Sequence, residues 1–215
     1  YFRRDLRLWW GMTEVASNFN PEVGFLRRRA YRNYDYGYFG YYRPKFLQSL
    51  PFAFREVRPH IPYSGFQTLE GFLETSRLHI DSHLDFESGY FLSPAVNRIV
   101  EGLEEPFEIR PGVVVPPGTY THWQLGWRWN TNRATALSYN GALDYGGFLS
   151  GNQRSVDTTV NYRWGTRLIT SVAWLYNDIE LAEGSFHANL GQVRAALNFT
   201  PLIYLQALLQ YNDDA

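Results

Sequence analysis

The stretch Thr119–Asn130, TYTHWQLGWRWN, decides the fold class. Its alternate residues form two chemically different sets. Thr121, Trp123, Leu125, Trp127 and Trp129 fall on one side, and Tyr120, His122, Gln124, Gly126, Arg128 and Asn130 on the other. Side chains of a strand point to opposite faces with period two, so this is a strand with one tryptophan-rich, apolar face. A soluble protein would hide that face in its core. A membrane barrel would turn it to lipid and aim the polar set at an aqueous lumen.

The bulk composition agrees with strands. Aromatic residues make up 18% of the 215, with 16 Tyr, 15 Phe and 7 Trp, and aromatic side chains favour pleated, half-buried surfaces. A net charge of −1 supplies no field that would mark the chain for nucleic acid. The absence of cysteine removes disulfides, thiolate metal sites and cysteine nucleophiles. No apolar run approaches the ~18 residues of a spanning helix. The mean hydropathy of −0.36 also argues against a helical membrane protein. It leaves a barrel open, because lumen-facing residues dilute the hydropathy of every strand. The chain starts at Tyr1 with neither an initiator Met nor a signal peptide and stops just after a strand. It is expected to be a single barrel domain over 1–215, truncated at both ends.

Along the chain, Phe2–Trp10 reads as a strand, Ser17–Asn33 as a loop and Tyr36–Pro44 as a strand. A connection around Pro44–Pro51 follows, then FAFREVRP, a Pro-rich turn at Pro59–Gly65 and a weak strand at Gly65–Leu73. Leu78–Leu92 alternates continuously, Leu78, Ile80, Leu84, Phe86, Tyr90 and Leu92 against His79, Asp81, His83, Asp85 and Glu87. Ser93–Gly118 breaks the pattern and is expected to be a long extracellular loop. The rhythm then resumes around Leu137–Tyr145, Val156–Trp164, Leu168–Tyr176, Val193–Phe199 and Ile203–Tyr211. The strand beginning at Phe186 starts out of phase, which suggests a bulge near Leu190. About eleven strands result.

Connection lengths alternate in this reading. Short turns fall at Glu74–Ser76, Asn130–Arg133, Gly165–Thr166 and Thr200–Pro201. Long ones fall at Ser93–Gly118, Gly146–Gln153 and Asp178–Ser185, the outer-membrane barrel pattern. Trp129, Trp164 and Phe199 stand beside short turns, and Tyr145, Tyr176 and Tyr211 at the opposite strand ends. With Trp123 and Trp127 they would form belts at the two lipid–water boundaries. Trp123 and Trp129 are roughly 20 Å apart at ~3.4 Å per residue. At a tilt of ~40° that projects to about 15 Å, inside the ~25 Å apolar band. The competing architecture is a soluble sandwich whose two inner faces supply the same rows.

The polar face offers His79, Asp81, His83, Asp85, His122, Gln124, Arg128, Asp157, Arg163 and Arg194 as lumen-facing candidates. Same-face neighbours on one strand are ~6.6–6.8 Å apart, whereas zinc donors each lie ~2.0–2.2 Å from the metal. A metal site would therefore need partners from adjacent strands, such as His122 or Asp144. The reading adopted is a solvated lumen wall with no metal and no cofactor. Arg128, Arg163, Arg167 and Arg194 are expected to form a charge network with Asp144 and Asp157. Arg27–Arg29 could meet lipopolysaccharide phosphates. No Ser-His-Asp order, nucleophile elbow, phosphate loop or metalloprotease motif is present, so no catalytic residue is assigned.

Three stretches carry a family resemblance. FNPEVGFLRRRAYRNYDYGYFGYYRP (Phe19–Pro44) resembles the FNPEVGF-type segment of a bacterial family of uncharacterised outer-membrane proteins. PFEIRPGVVVPPGTYT (Pro106–Thr121) and LNFTPLIYLQALLQYND (Leu197–Asp213) look like later parts of the same proteins. In that family the C-terminal half is a β-barrel, and many members carry an N-terminal carbohydrate-binding module of the family-nine type. The resemblance implies an all-β, antiparallel, up-and-down transmembrane barrel in the bacterial outer membrane. This chain lacks the module and the last strands with their terminal aromatic residue, so sugar binding does not transfer to it.

Together these readings lead to a non-catalytic outer-membrane barrel for passage or surface binding of a nutrient, a glycan or another small solute. Its partners would be lipid and lipopolysaccharide, with no nucleic acid and the oligomeric state open. A soluble carbohydrate-binding module with an exposed aromatic platform is the alternative. A third reading is an outer-membrane hydrolase using Glu101, Glu104 and Glu105.

Overall fold

A computed structural model describes residues 2–3, 5–25, 28–50 and 52–213. The two-residue β1 (Phe2–Arg3) folds back onto β2 (Leu6–Val15), followed by β3 (Tyr31–Gly40), the one-turn α1 (Lys45–Gln48), β4 (Phe54–Thr68), β5 (Leu73–Phe86) and β6 (Phe91–Leu103). A separate hairpin, β7 (Phe107–Arg110) and β8 (Val113–Val115), precedes β9 (Gly118–Asn130), β10 (Leu137–Phe148), β11 (Gly151–Trp164), β12 (Leu168–Leu181), β13 (Gly184–Thr200) and β14 (Ile203–Asn212). Eleven long strands and β1 make one antiparallel, up-and-down sheet, with β6 pairing directly to β9. The long strands run from 10 to 17 residues, against a usual ~5–6. The order ends on β1 and on β14, which do not pair with each other, so the sheet is open. It is one sheet, not the two packed sheets of a sandwich.

The register keeps the two sets of Thr119–Asn130 on opposite faces throughout. Leu125 lies opposite Val96 and Tyr145, and Gln124 opposite Asn97 and Gly146. The faces are solvated in inverse order to a soluble domain. Among the described residues, six of the seven buried polar ones, His60, Asp81, Ser93, Asn97, Gln124 and Ser138, belong to the polar face. On the apolar face Trp123 is 53% and Leu125 51% exposed. The only buried hydrophobics among the described residues are Ala95, Val100 and Val115. A compact monomer of 25.1 kDa would expose about 10,000 Å², whereas this chain exposes 14354 Å². A single layer with no apolar core is the cause.

Several sequence expectations change. Phe2–Trp10 is a tight hairpin, since Arg3 lies opposite Leu6; Arg4 lies outside the described residues. Pro59–Gly65 is the middle of β4. Pro59 sits opposite Ser82 and Pro62 opposite Gly37, and the ladder to β5 skips Ile61 and Pro62, as an imino nitrogen without a donor allows. Leu78–Leu92 is two strands, because the chain turns at Glu87–Tyr90. Ser93–Leu103, expected in a loop, belongs to β6, which leaves only 104–117 to connect β6 with β9. Within that connection Arg110 donates to His187 O at 3.3 Å and lies over the Phe186 ring. Glu74–Ser76 lies inside β5. No bulge occurs at Leu190, which pairs in step with Leu175; the irregularity falls between Asn198 and Thr200.

The length asymmetry of the turns also disappears. Gly146–Gln153 and Asp178–Ser185 continue the strands into two-residue turns, Leu149–Ser150 and Ala182–Glu183, while the expected short turn after Asn130 spans 131–136. Tyr145 and Tyr176 consequently sit inside β10 and β12 instead of at their ends.

Candidate functional site

The densest polar constellation lies where β4, β5 and β6 meet on the polar face. In β5 the alternation of His79, Asp81 and His83 puts all three side chains on one side. The register then sets Asp81 opposite His60 of β4 and Ala95 of β6, and His79 opposite Asn97. Both ladders around β5 are interrupted here. That to β4 skips Ile61–Pro62, and that to β6 passes from Asp81–Ala95 to Leu84–Leu92, beside Pro94.

Three imidazoles converge on one carboxylate oxygen. The Nε2 atoms of His79, His83 and His60 lie 3.3, 3.7 and 3.9 Å from Asp81 Oδ2. Ser93 Oγ donates to the same oxygen at 2.5 Å. Donor atoms of His60, His79 and Asp81 all lie within 4.8 Å of one another. His79 Nδ1 contacts Asn97 Oδ1 at 2.6 Å, and that oxygen also accepts from Arg77 Nε and Nη2 at 3.1 and 2.9 Å. His60 Nδ1 faces Arg58 O at 3.4 Å. Both acceptors are oxygens without a proton, so each Nδ1 donates its hydrogen, and in a neutral ring each Nε2 then presents its lone pair to Asp81. Asp81 Oδ1 and His83 Nδ1 are buried without a hydrogen-bond partner. Phe39 stacks on His60 at 4.8 Å, and Phe91 meets His83 edge-on at 5.2 Å. The walls are therefore apolar and the centre polar. The Ser93 hydroxyl, directed at Asp81, contributes a further polar group to that centre.

Arg58 closes the end of the site toward the β5–β6 turn. It bonds Asp85 Oδ2 at 2.5 Å and approaches Glu56 at 3.4 Å, while Glu56 also pairs with Arg43 at 2.7 Å. Asp85, a lumen-facing candidate, thus belongs to a rim of ion pairs.

The remaining candidates share the polar face but not this cluster. Gln124, 8% exposed, donates to Gly147 O at 2.9 Å. Arg128 pairs with Asp144 at 3.1 Å. His122 packs onto Gly147, where any side chain would collide with its Cβ, and lies 3.9 Å from Glu101. The expected charge network reduces, among the described residues, to Arg128–Asp144. Arg163 donates instead to Ala134 O at 3.0 Å, and Asp157 and Arg194 are exposed without a pair within 4 Å. In the arginine run, Arg28 is held by Glu74 at 2.9 Å and lies over the Phe66 ring, so it does not reach outward. Arg29 is exposed, and Arg27 lies outside the described residues. On the apolar face, Trp164, Phe199 and Tyr211 are exposed near strand ends, as are Trp127 and Tyr145 further inside.

Sequence reasoning missed His60, Ser93 and Asn97. His60 stands between two prolines, which read locally as a turn, although Arg58, His60, Pro62 and Ser64 alternate with Val57, Ile61 and Tyr63. Neither His122 nor Asp144 completes the histidine row, and a strand expected to be irregular does. Compared with protein-family models, with curated proteins and with solved structures, the chain matches none.

Proposed function

We propose that this chain is the strand-rich body of an outer-membrane β-barrel that passes or binds a solute, a glycan or another small nutrient, with no chemistry of its own. The observation that carries this reading is the inversion of the two faces, polar groups sheltered and aromatic and aliphatic groups exposed. Leaving a Leu or Val side chain in water forgoes ~1.5–3 kcal/mol. Ten such side chains already outweigh the ~5–15 kcal/mol net stability of a domain. Lipid removes that cost, and a sheet with no second layer has no other apolar partner.

The aromatic positions add support. In a barrel tilted by ~40°, one membrane level crosses each successive strand about 4 Å, a little over one residue, further along. The row through Tyr145 meets Asp178, and Tyr176 is two residues away; the row through Tyr176 meets Asn189, and Tyr211 pairs two residues away, at Gly191. Trp164 and Phe199 show the same two-residue step through Leu197, whereas Trp129 does not follow it. The resemblance of Phe19–Pro44 to an outer-membrane family points the same way. For the solute, the polar face holds a cavity of about 360 Å³ lined by Arg133, Ser138, Asn140, Asn161 and Arg163. Amide and guanidinium groups of that kind suit sugar hydroxyls.

Adjacent residues of β14 provide the test. Leu205→Arg on the apolar face should cost about 2–4 kcal/mol of folding free energy in lipid vesicles if it lies near the midplane. Gln206→Arg, facing the other way, should cost little. Equal tolerance overturns the proposal. So does a protease-resistant, monodisperse chain in buffer without detergent, which would favour a soluble sugar-binding module.

A further inference from the structure

We infer that His60, His79 and Asp81, with His83 as the fourth donor, form a binding site for a divalent transition-metal ion of the zinc class. The inference does not rest on the barrel reading, since the site is built from three neighbouring strands whatever solvent surrounds them.

The first reason is an electrostatic conflict that a cation resolves. In neutral rings the hydrogen bonds to Asn97 and Arg58 O leave the Nε2 lone pairs of His79 and His60 aimed at a carboxylate oxygen. Lone pairs facing a carboxylate at this range repel. Protonating one ring would relieve one contact. Protonating several would set imidazolium charges side by side, with ring centroids 4.6 Å apart for His60–His83 and 5.1 Å for His60–His79. One divalent ion among the four atoms satisfies all of them at once.

The second reason is distance. Donors ~2.0–2.2 Å from a tetrahedral centre lie about 3.3–3.6 Å from one another. The three Nε2–Oδ2 separations are 3.3, 3.7 and 3.9 Å, and the donor atoms of His60, His79 and Asp81 all lie within 4.8 Å of one another, so side-chain rotation brings these three onto one centre, to which His83 adds the fourth donor. The obstacle of one straight strand is lifted because His79 and His83 lean along β5 toward the carboxylate between them, and His60 supplies the donor from the neighbouring strand.

The third reason is the supporting shell. Metal-bound histidines hold their other nitrogen to a carbonyl or carboxylate, and the ligating carboxylate is itself hydrogen-bonded. His79 has Asn97, whose amide orientation is set by the Arg77 fork; His60 has Arg58 O; Asp81 has Ser93. Asp81 Oδ1 is buried and unpartnered. Three imidazoles and one carboxylate favour zinc-class ions over magnesium or calcium, which prefer all-oxygen sets. The site also sits where the β4–β5 and β5–β6 ladders are both interrupted, so the ion would tie the three strands together where their backbone pairing lapses.

The experiment uses the full chain folded in detergent, freed of metal with a chelator, then titrated separately with Zn²⁺, Co²⁺, Mg²⁺ and Ca²⁺. Expected are one Zn²⁺ per chain, a visible Co²⁺ spectrum of four-coordinate type, a higher melting temperature with Zn²⁺, and no effect of Mg²⁺ or Ca²⁺. His60→Ala, His79→Ala and Asp81→Asn should each weaken Zn²⁺ binding at least 100-fold. Asn97→Ala should weaken it about 10–100-fold through the supporting shell. His187→Ala should leave it unchanged. Circular dichroism establishes that each variant retains its strands. Absence of stoichiometric Zn²⁺ binding by the unaltered chain overturns the inference without recourse to any variant. A six-coordinate Co²⁺ spectrum, or full affinity in folded His60→Ala, also overturns it.

Discussion

At the scale of single residues, Asn97 holds the polar face together. It is 1% exposed, and its Oδ1 takes three hydrogens, two from Arg77 and one from His79. Truncation strands a guanidinium and an imidazole in a sheltered place. A buried donor left without its partner costs about 1–3 kcal/mol, and a charged one more. Asn97→Ala should therefore lower unfolding free energy by about 3 kcal/mol in chemical denaturation of the metal-free protein. Asn152→Ala, exposed on the opposite face, should stay within about 0.5 kcal/mol. The polarity of Asn97 is plain in the sequence, but its importance is not. It comes from Arg77 and His79 lying across the ladder in a strand that the alternation had not identified.

At the scale of elements, the strands from β9 onward follow the alternation closely, whereas the turns do not. Glycines near Gly146 and acidic residues near Asp178 look like loops, yet the ladder continues through both to two-residue turns. Pairing decides this, since a residue with a partner across the ladder stays in the strand whatever its propensity. The β10–β11 turn retains some strain, because Leu149 has φ +46°. A side chain in the left-handed region costs ~1–2 kcal/mol, and glycine there gives back part of the gain in chain entropy. Leu149→Gly should raise stability by about 0.5–1 kcal/mol, seen as a higher denaturation midpoint with an unchanged slope. An unchanged or lower midpoint would show that the leucine side chain contributes more than its backbone strain removes.

At the scale of the molecule, the sheet is open and β14 is exposed along its whole length. An exposed, unpaired edge of ten residues, IYLQALLQYN, is a template for another strand. The 215-residue chain should accordingly self-associate through β14 at raised concentration in detergent. Because the sequence contains no cysteine, Leu208→Cys can report this by disulfide formation between copies. Gln153→Cys, in the middle of the sheet, should stay unlinked. Equal cross-linking at both positions would place the contact elsewhere.

By itself, the sequence determined that the chain is all-β, that its strands are long, and that each strand from Thr119 onward has one apolar and one polar side. Period two suffices for that, because the pleat sends successive side chains to opposite faces. Only the tertiary structure decided which face is sheltered, since alternation is the same for a core and for a lipid-facing wall. It likewise decided that Pro59–Gly65 and Ser93–Leu103 are strands, because partners in β3, β5 and β9 outweigh the local signals of proline and charge. The meeting of His60, His79, Asp81 and His83 follows from register alone: residues 60 and 81 become neighbours only when β4 and β5 pair in this one alignment. The tryptophans of Thr119–Asn130 reveal the sheet, and the histidine–aspartate cluster lies on the face they leave to the polar residues.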